Sequence, residues 1–593
     1  MINIETLLRI PCIDAEYGFD ISPDGRSIAF SWSKTGRWEI YQVALDGSTD
    51  PVLVSGGEGA KFNPKYSPDG SALAFVADFD GSERYHLFLL DLSTGKQTDL
   101  TPDIGYSLRP KFDWSPDGKK IACMADISGC FDTYILDIAS REMHPVFANG
   151  YAGWEIHWSP DGQRLAVTVE WVGQDYGTFI VPVHGGEAHQ VGAFNVITPA
   201  WSPDGRSLAF ASDVHGRYQI GFYDLTDGCL EWLPNSGGDD FSPAWAADGR
   251  LAFIRQQGAR QWLALTGPDK EPKIYEIEPG LYYSPTFTPD SRSLVFVFDN
   301  PRYPDDLWRL DLNTGGFCQL THSLPADFPQ ASLVMSEEIY YPAQDGAQVP
   351  AVLYKPPQAG PDCPAVIVIH GGPGWLFSIM WYPFMAYLAA RGWVVLAPNY
   401  RGSTGYGREW QYANRFDLGG VDARDVLAGV DYLVQNGLAN PQKIAVSGRS
   451  HGGYLTMVCL TQFPDVWAGG SAVVPFLNWF TSHANSRSDL QHWDRQNFGS
   501  PEENHDLWYE RSPFFFLERI KAPVQLICGE NDPLCPPSES IAARDRLLAL
   551  GKEVDFVLYK GEGHTFLKIE NLIDSENRRV AFLERVLART ENP

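Results

Sequence analysis

Gly448-Arg449-Ser450-His451-Gly452-Gly453-Tyr454 sets a serine at the centre of a G-x-S-x-G pattern. The run Lys443-Ile444-Ala445-Val446-Ser447 before it reads as a buried strand, and residues 454–463 after it read as a helix. The pattern needs that context, because its glycines let the backbone turn sharply enough to lift a serine hydroxyl above a sheet, with a helix N-terminus aimed at it. The bare pattern is common by chance; a strand and a helix on its two sides are not.

The remaining groups of an acyl-transfer site follow in the order nucleophile, acid, histidine, which is the order of α/β-hydrolases. Pro523-Val524-Gln525-Leu526-Ile527-Cys528 is a short β-like run that ends in the polar turn Gly529-Glu530-Asn531-Asp532-Pro533. Asp532 is the expected acid; Glu530 is its rival but sits nearer the strand. A second run, Val554-Asp555-Phe556-Val557-Leu558-Tyr559, leads to Gly561-Glu562-Gly563-His564. His564 is expected to take the Ser450 proton and return it to the leaving group while Asp532 fixes its tautomer. Most of the 13 histidines are structural or surface residues, but His564 has chain order, a strand end and flanking glycines in its favour. The oxyanion donors are expected to be the backbone N–H of His451 and that of Gly372. The latter lies in His370-Gly371-Gly372-Pro373-Gly374, after the strand Ala365-Val366-Ile367-Val368-Ile369, with His370 as a buttress. A plain tight turn also accounts for this glycine run.

The first half of the chain repeats. Ser-Pro-Asp-Gly begins at Ser22, Ser67, Ser115, Ser159 and Ser202, with degenerate copies at Ala246 and Thr288, so successive starts lie 45, 48, 44, 43, 44 and 42 residues apart. An aromatic precedes most copies (Tyr66, Trp114, Trp158, Trp201, Trp245), and three further β-like runs follow each. A period in the forties with four strands per unit predicts a β-propeller, and seven copies predict seven blades. The repeated Asp and Gly are turn chemistry.

The expected architecture is therefore an N-terminal segment (1–16), a seven-bladed β-propeller (17–325) and an α/β-hydrolase domain with a doubly wound, mostly parallel sheet (326–593). Met1 to Arg9 reads as a short amphipathic helix able to pack on either domain. A formal charge of −28 argues against nucleic acid and anionic membranes as partners. Nine cysteines without paired spacing fit a reducing compartment, and no secretory h-region or long apolar span occurs, so a cytoplasmic protein is expected. No cofactor and no metal site are expected. Self-association is compatible with this composition.

Taken together, the seven repeats, His370-Gly371-Gly372-Pro373, Asn399-Tyr400-Arg401-Gly402-Ser403-Thr404-Gly405-Tyr406-Gly407, and Gly448 to Tyr454 with Asp532 and His564 resemble the prolyl oligopeptidase family of serine peptidases. The resemblance spans nearly all 593 residues, and within the family it is to the acylaminoacyl-peptidase branch. In prolyl oligopeptidases proper a tyrosine side chain helps form the oxyanion hole, whereas Gly372 stands in that loop here. The resemblance implies a serine peptidase that cuts short peptides near their N-terminus, with the propeller over the active site admitting only short or unstructured chains. One departure bears on substrate: many acylaminoacyl-peptidases carry an arginine two residues after the catalytic aspartate, and Leu534 stands there instead. Relatives that trim free amino termini hold the ammonium with propeller carboxylates, for which Glu83 and Glu170 are the candidates here; solvated loop charges are the competing reading of both. Aminopeptidase or dipeptidyl peptidase activity and carboxylesterase activity therefore stay open as alternatives, as does an inactive scaffold.

Overall fold

The repeated turns fold through their own side chains. In the computed structural model, which describes residues 2–102, 105–192, 194–267 and 271–588, the serine or threonine that opens a turn donates to the aspartate two residues on. The distance is 2.6–2.7 Å at Ser22, Ser67, Ser115, Ser159, Ser202 and Thr288. At Ser115 the same hydroxyl accepts from Lys120 N–H at 3.0 Å, which ties the turn to the next strand. These hydrogen bonds hold the turn carboxyls below their usual range, Asp69 at about 2.

The chain folds into two compact units: Met1–Arg9, Asp80–Ser82 and Asp327–Pro593 form one, and Ile10–Phe79 with Glu83–Ala326 the other. In the second unit the described residues form seven four-stranded antiparallel sheets, each from one contiguous stretch, as the repeat predicts. The first runs from Phe19–Ile21 to Val52–Leu53, the last from Leu281–Phe287 to Phe317–Gln319. Neighbouring sheets interlock at the repeat period, since Trp114, Trp201 and Trp245 donate their indole N–H to Lys65, His157 and Ala200 carbonyls at 3.1–3.2 Å. Turn glycines face the proline of the preceding turn, Gly70 on Pro23 and Gly118 on Pro68, and Gly25 faces Pro289, so the last repeat meets the first and the ring closes. Ile28, Phe30 and Trp32 pack there against Val295, Val297 and Leu307.

The hydrolase unit is one eight-stranded sheet, in the spatial order Ser336–Pro342, Gln348–Tyr354, Val394–Pro398, Ala365–Ile369, Ile444–Arg449, Gly469–Val473, Val524–Gly529, Val554–Tyr559. Its first two strands are antiparallel to their neighbours and the remaining pairings are parallel. Ala365–Ile369 and Val394–Pro398 are buried along their whole length, which a sheet covered on both faces requires. The expected N-terminal helix is Ile4–Leu8; Asn3 caps it by accepting from Thr6 N–H at 2.7 Å, and Arg9 pairs with Glu570 at 3.2 Å. Met1 lies outside the described residues. The segment expected at 1–16 is thus divided, residues 2–9 with the hydrolase unit and residues from Ile10 with the propeller unit. No helix among the described residues is long and apolar enough to cross a membrane.

Asp14, at the start of the propeller unit, is buried; its Oδ1 accepts from Glu16 and Tyr17 N–H. Burial raises its pKa to about 8. A raised carboxyl pKa means stability that is complete below the unfolded value near 4 and drains away as pH climbs through the folded one. Asp14→Asn keeps the shape and removes the ionisation. Its melting temperature is expected to match the parent near pH 4 and to exceed it increasingly up to pH 9; a difference that does not grow with pH contradicts this reading.

Candidate active site

Ser450 follows the strand Ile444–Arg449 and precedes the helix His451–Gln462, with φ 60° and ψ −126°. A non-glycine residue in that region is strained, and the surroundings hold it there. Ser450 N–H donates to the Val473 carbonyl of the neighbouring strand at 2.9 Å, and the Ser450 carbonyl accepts from Tyr454 N–H at 2.9 Å. The glycines are needed for close approach: a Cβ on Gly448 would lie 2.3 Å from the Gly452 carbonyl oxygen, and one on Gly452 would lie 2.2 Å from that of Ile369.

Asp532 and His564 stand beyond the C-terminal ends of the two strands that close the sheet, Val524–Gly529 and Val554–Tyr559. The Asp532 side chain is buried. Its Oδ1 accepts from Leu534 and Cys535 N–H at 2.9 and 2.8 Å, while Oδ2 faces His564 Nδ1 at 2.8 Å. A carboxylate only accepts, so Nδ1 carries the proton and Nε2 is left with the lone pair, as a base for a serine hydroxyl requires. Glu530 is not in this pair: its carboxylate accepts from Gly561 N–H at 3.1 Å. The hydrogen bonds of the described residues include none between Ser450 Oγ and His564.

Two side chains that hold the histidine loop escape a reading of the sequence. Arg449, an unspecified position of the serine motif, donates to the His564 carbonyl and lies over the Phe566 ring at 5.7 Å. Glu562 is buried and accepts from Leu567 N–H, Lys568 N–H and Asn571 Nδ2. Its own carbonyl accepts from Asn531 N–H at 2.8 Å, which joins the aspartate loop to the histidine loop. Only a hint existed beforehand: a charged residue between two glycines, in Gly561-Glu562-Gly563, is costly to bury unless it is fully hydrogen-bonded.

His451 N–H is the first of its helix, where backbone donors have no partner within the helix. On the other side of Ser450 a Cβ on Gly371 would lie 3.2 Å from Ser450 Cβ, so the Gly371-Gly372 segment abuts the serine. His370 holds that segment. The Gly371 carbonyl can only accept, so His370 Nδ1–H donates to it at 2.7 Å; Nε2 faces Ser403 Oγ at 2.8 Å, and that hydroxyl also reaches the Tyr400 carbonyl at 2.7 Å. Burial pushes the His370 pKa down to about 3, which keeps the ring neutral with one donor and one acceptor nitrogen. In a trans peptide the N–H points opposite to the C=O, so anchoring the Gly371 carbonyl fixes the direction of Gly372 N–H.

Three further positions were expected near substrate. Leu534 is half-buried, its backbone committed to Asp532. Glu170, in the propeller unit, is paired with Arg109 at 3.5 Å, and that arginine also lies over the Phe131 ring at 4.3 Å. Its carboxylate is thus part of an ion pair within the propeller unit, which the competing reading as a solvated loop charge does not describe. Glu83 takes a left-handed φ of 57°, and its N–H donates to Asp78 at 3.2 Å. Among the described residues no cluster of three or more His, Cys, Asp or Glu is arranged to hold a metal.

Residues 381–590 match the prolyl oligopeptidase family, and residues 82–313 match the TolB beta propeller domain. The chain is 26% identical to dipeptidyl aminopeptidase BIII of Pseudoxanthomonas mexicana, over 93% of this chain and 84% of that one. It is also 26% identical to the acylamino-acid-releasing enzyme of Rattus norvegicus, over 68% of this chain and 61% of that one. Among solved structures, a puromycin-hydrolyzing peptidase of Mycobacterium tuberculosis superposes with a TM-score of 0.87 at 21% identity, covering 100% of this chain and 97% of that one. At that identity the likeness is one of fold.

Replacing Ser450 by alanine removes a hydroxyl that does little packing. Hydrolysis of a peptide p-nitroanilide is expected to fall by about 10⁴-fold or more with the melting temperature unchanged, and His564→Ala is expected to match it because the two groups act as a unit. Pure Ser450→Ala protein that keeps more than a few per cent of the activity rules out this nucleophile.

Proposed function

We propose that this chain, which belongs to the prolyl oligopeptidase family of serine peptidases, cleaves short peptides near their N-terminus through an acyl-enzyme on Ser450. The observation that carries the reading is the Asp532–His564 pair at 2.8 Å, on the loops beyond adjacent strand ends of the sheet that presents Ser450. Ser450 Oγ attacks the scissile carbonyl carbon while His564 Nε2 takes its proton. The oxyanion so formed is met by His451 N–H and Gly372 N–H. The C–N bond then breaks, His564 gives its proton to the departing amine, and the acyl group stays on Ser450. Water, deprotonated by the same imidazole, releases the acid and returns the hydroxyl. Losing one oxyanion donor in such a site typically costs about 10²–10³ in rate.

The substrate's amino end is the finer question, and Leu534 bears on it. An arginine at that position offers an acyl or carbonyl oxygen charge-assisted hydrogen bonds of roughly 1.5–3 kcal/mol, and a leucine offers none. The reading is therefore an acylaminoacyl-peptidase-like enzyme that has lost the preference for an acylated terminus. It cleaves free amino-terminal substrates at least comparably. The likeness to both an acylamino-acid-releasing enzyme and a dipeptidyl aminopeptidase is compatible with that position.

Two measurements follow. With paired acetylated and free aminoacyl p-nitroanilides, the unmutated enzyme is expected to show no advantage for the acetylated member, and Leu534→Arg to raise the acetylated-to-free ratio of kcat/KM by up to about tenfold, the equivalent of about 1.4 kcal/mol. An unmutated enzyme that prefers the acetylated form by more than tenfold has another group on the acyl end. Substrate size gives the second: peptides of up to a few dozen residues are expected to be cut and folded proteins spared. Folded globular proteins digested as fast as a pentapeptide contradict a size limit.

A further inference from the structure

Each of the two N–H groups assigned to the oxyanion is backed by a buried imidazole, and the two imidazoles share a neighbour. Behind Gly372 N–H stands His370, whose Nδ1–H holds the Gly371 carbonyl. Behind His451 N–H stands the ring of His451 itself, which is 3% exposed. Tyr400 lies against both. Its ring is stacked on His370, with centroids 4.3 Å and planes 13° apart, and its centroid is 6.3 Å from that of His451. The Tyr400 hydroxyl donates to the His370 carbonyl at 3.1 Å, so the tyrosine grips His370 by ring and by backbone.

The other end of the column is closed by a charge. Asp422, wholly buried in the first turn of the helix Val421–Gln435, brings Oδ2 to 3.8 Å from His451 Nε2. Its Oδ1 accepts from Ala423 N–H at 2.8 Å, and Oδ2 accepts from Asn414 Nδ2 at 3.4 Å, so the carboxylate itself is fixed. His451 Nε2 is buried and has no hydrogen-bond partner among the described residues, which leaves Asp422 as the group that faces it. Tyr454 and Phe476 flank the imidazole at 5.2 and 6.2 Å, so the ring is hemmed in by aromatic neighbours. Nothing in the acyl-transfer steps uses Tyr400 or Asp422, yet both are buried beside the two peptides on which those steps depend.

We propose that Tyr400 and Asp422 are positioning residues that hold both oxyanion donors in register through one buried column, His370–Tyr400–His451–Asp422. The proposal rests on Ser450 being the nucleophile. Tyr400 ties the Gly371-Gly372 peptide to the ring of His451, and Asp422 sets that ring and with it the first N–H of the helix behind Ser450. A donor that drifts by a fraction of an ångström keeps its hydrogen but loses its aim at an oxygen that becomes charged only in the transition state. Such a fault lowers kcat and leaves ground-state binding alone.

Tyr400→Phe removes one hydroxyl and keeps the ring; Asp422→Asn keeps the shape and removes the charge. Each is expected to lower kcat for a peptide p-nitroanilide by about tenfold with KM within twofold, less than outright loss of a donor. The inhibition constant of a peptidyl boronate, whose oxygen sits where the oxyanion forms, is expected to rise by the same factor as kcat falls. In the double variant the losses are expected to combine to less than their product, because both act on one column. Variants that retain kcat/KM within threefold, that raise KM alone, or that lose kcat with unchanged boronate affinity overturn the proposal. If Asp422→Asn does not fold, Tyr400→Phe decides by itself. An unmutated enzyme that no boronate inhibits, with Ser450→Ala still active, marks the failure of the serine reading and takes the proposal with it.

Discussion

The structure of the catalytic unit turns on one strained residue. Ser450 is held at φ 60° and ψ −126°, a conformation that costs a non-glycine residue about 1–3 kcal/mol and persists only where the surroundings over-determine it. Here a strand ends in its N–H, which donates to Val473, and a helix begins in its carbonyl, which accepts from Tyr454. Gly448 and Gly452 let two backbones come closer than any side chain allows. With the serine fixed, the remaining groups have only to be brought to it. The parallel strands put Asp532 and His564 on loops at the same edge of the sheet as Ser450, because their C-terminal ends all open there.

What the loops add is stiffness. Asp532 is surrounded by two backbone donors and an imidazole, so its carboxylate has little freedom to turn. The His564 loop is held from one side by Arg449 and from the other by the buried Glu562, whose carboxylate takes three donors. A buried carboxylate with fewer partners would be costly, so this loop is either fully hydrogen-bonded or not formed. The propeller meets a different constraint by repetition. Six of the seven turns make their own Ser–Asp or Thr–Asp hydrogen bond, each interlocking tryptophan reaches the preceding blade, and the ring needs only a matching last repeat at Pro289 to close.

Much of this was legible in the sequence because it is written in short-range chemistry. The elbow needs glycines at fixed offsets, the blades need a turn at a fixed period, and a strand buried on both faces needs an apolar run; all three are visible in Gly448 to Tyr454, in Ser-Pro-Asp-Gly and in Ala365 to Ile369. The helix after Ser450 starts at His451, earlier than the apolar run from Tyr454 suggested, because the turn needs helical backbone at the glycines themselves. Long-range partners were not legible. Arg449 and His564 lie 115 residues apart, Arg109 and Glu170 lie 61 apart, and no local rule couples them. The propeller also bends its inner strands in a way that propensity alone does not announce. Asn63, Thr198, Ser242 and Ser284, each followed by proline, take left-handed φ values of 50–53° where the strand register slips.

The central claim is that the strained elbow makes Ser450, among all the serines of the chain, the nucleophile. Labelling the intact protein with a fluorophosphonate probe and locating the adduct by peptide mass spectrometry tests it most directly. The account predicts one adduct per chain, on the peptide that carries Ser450, with labelling suppressed by a competing peptide substrate. An adduct on a different residue, or an active enzyme that takes up no probe, contradicts it.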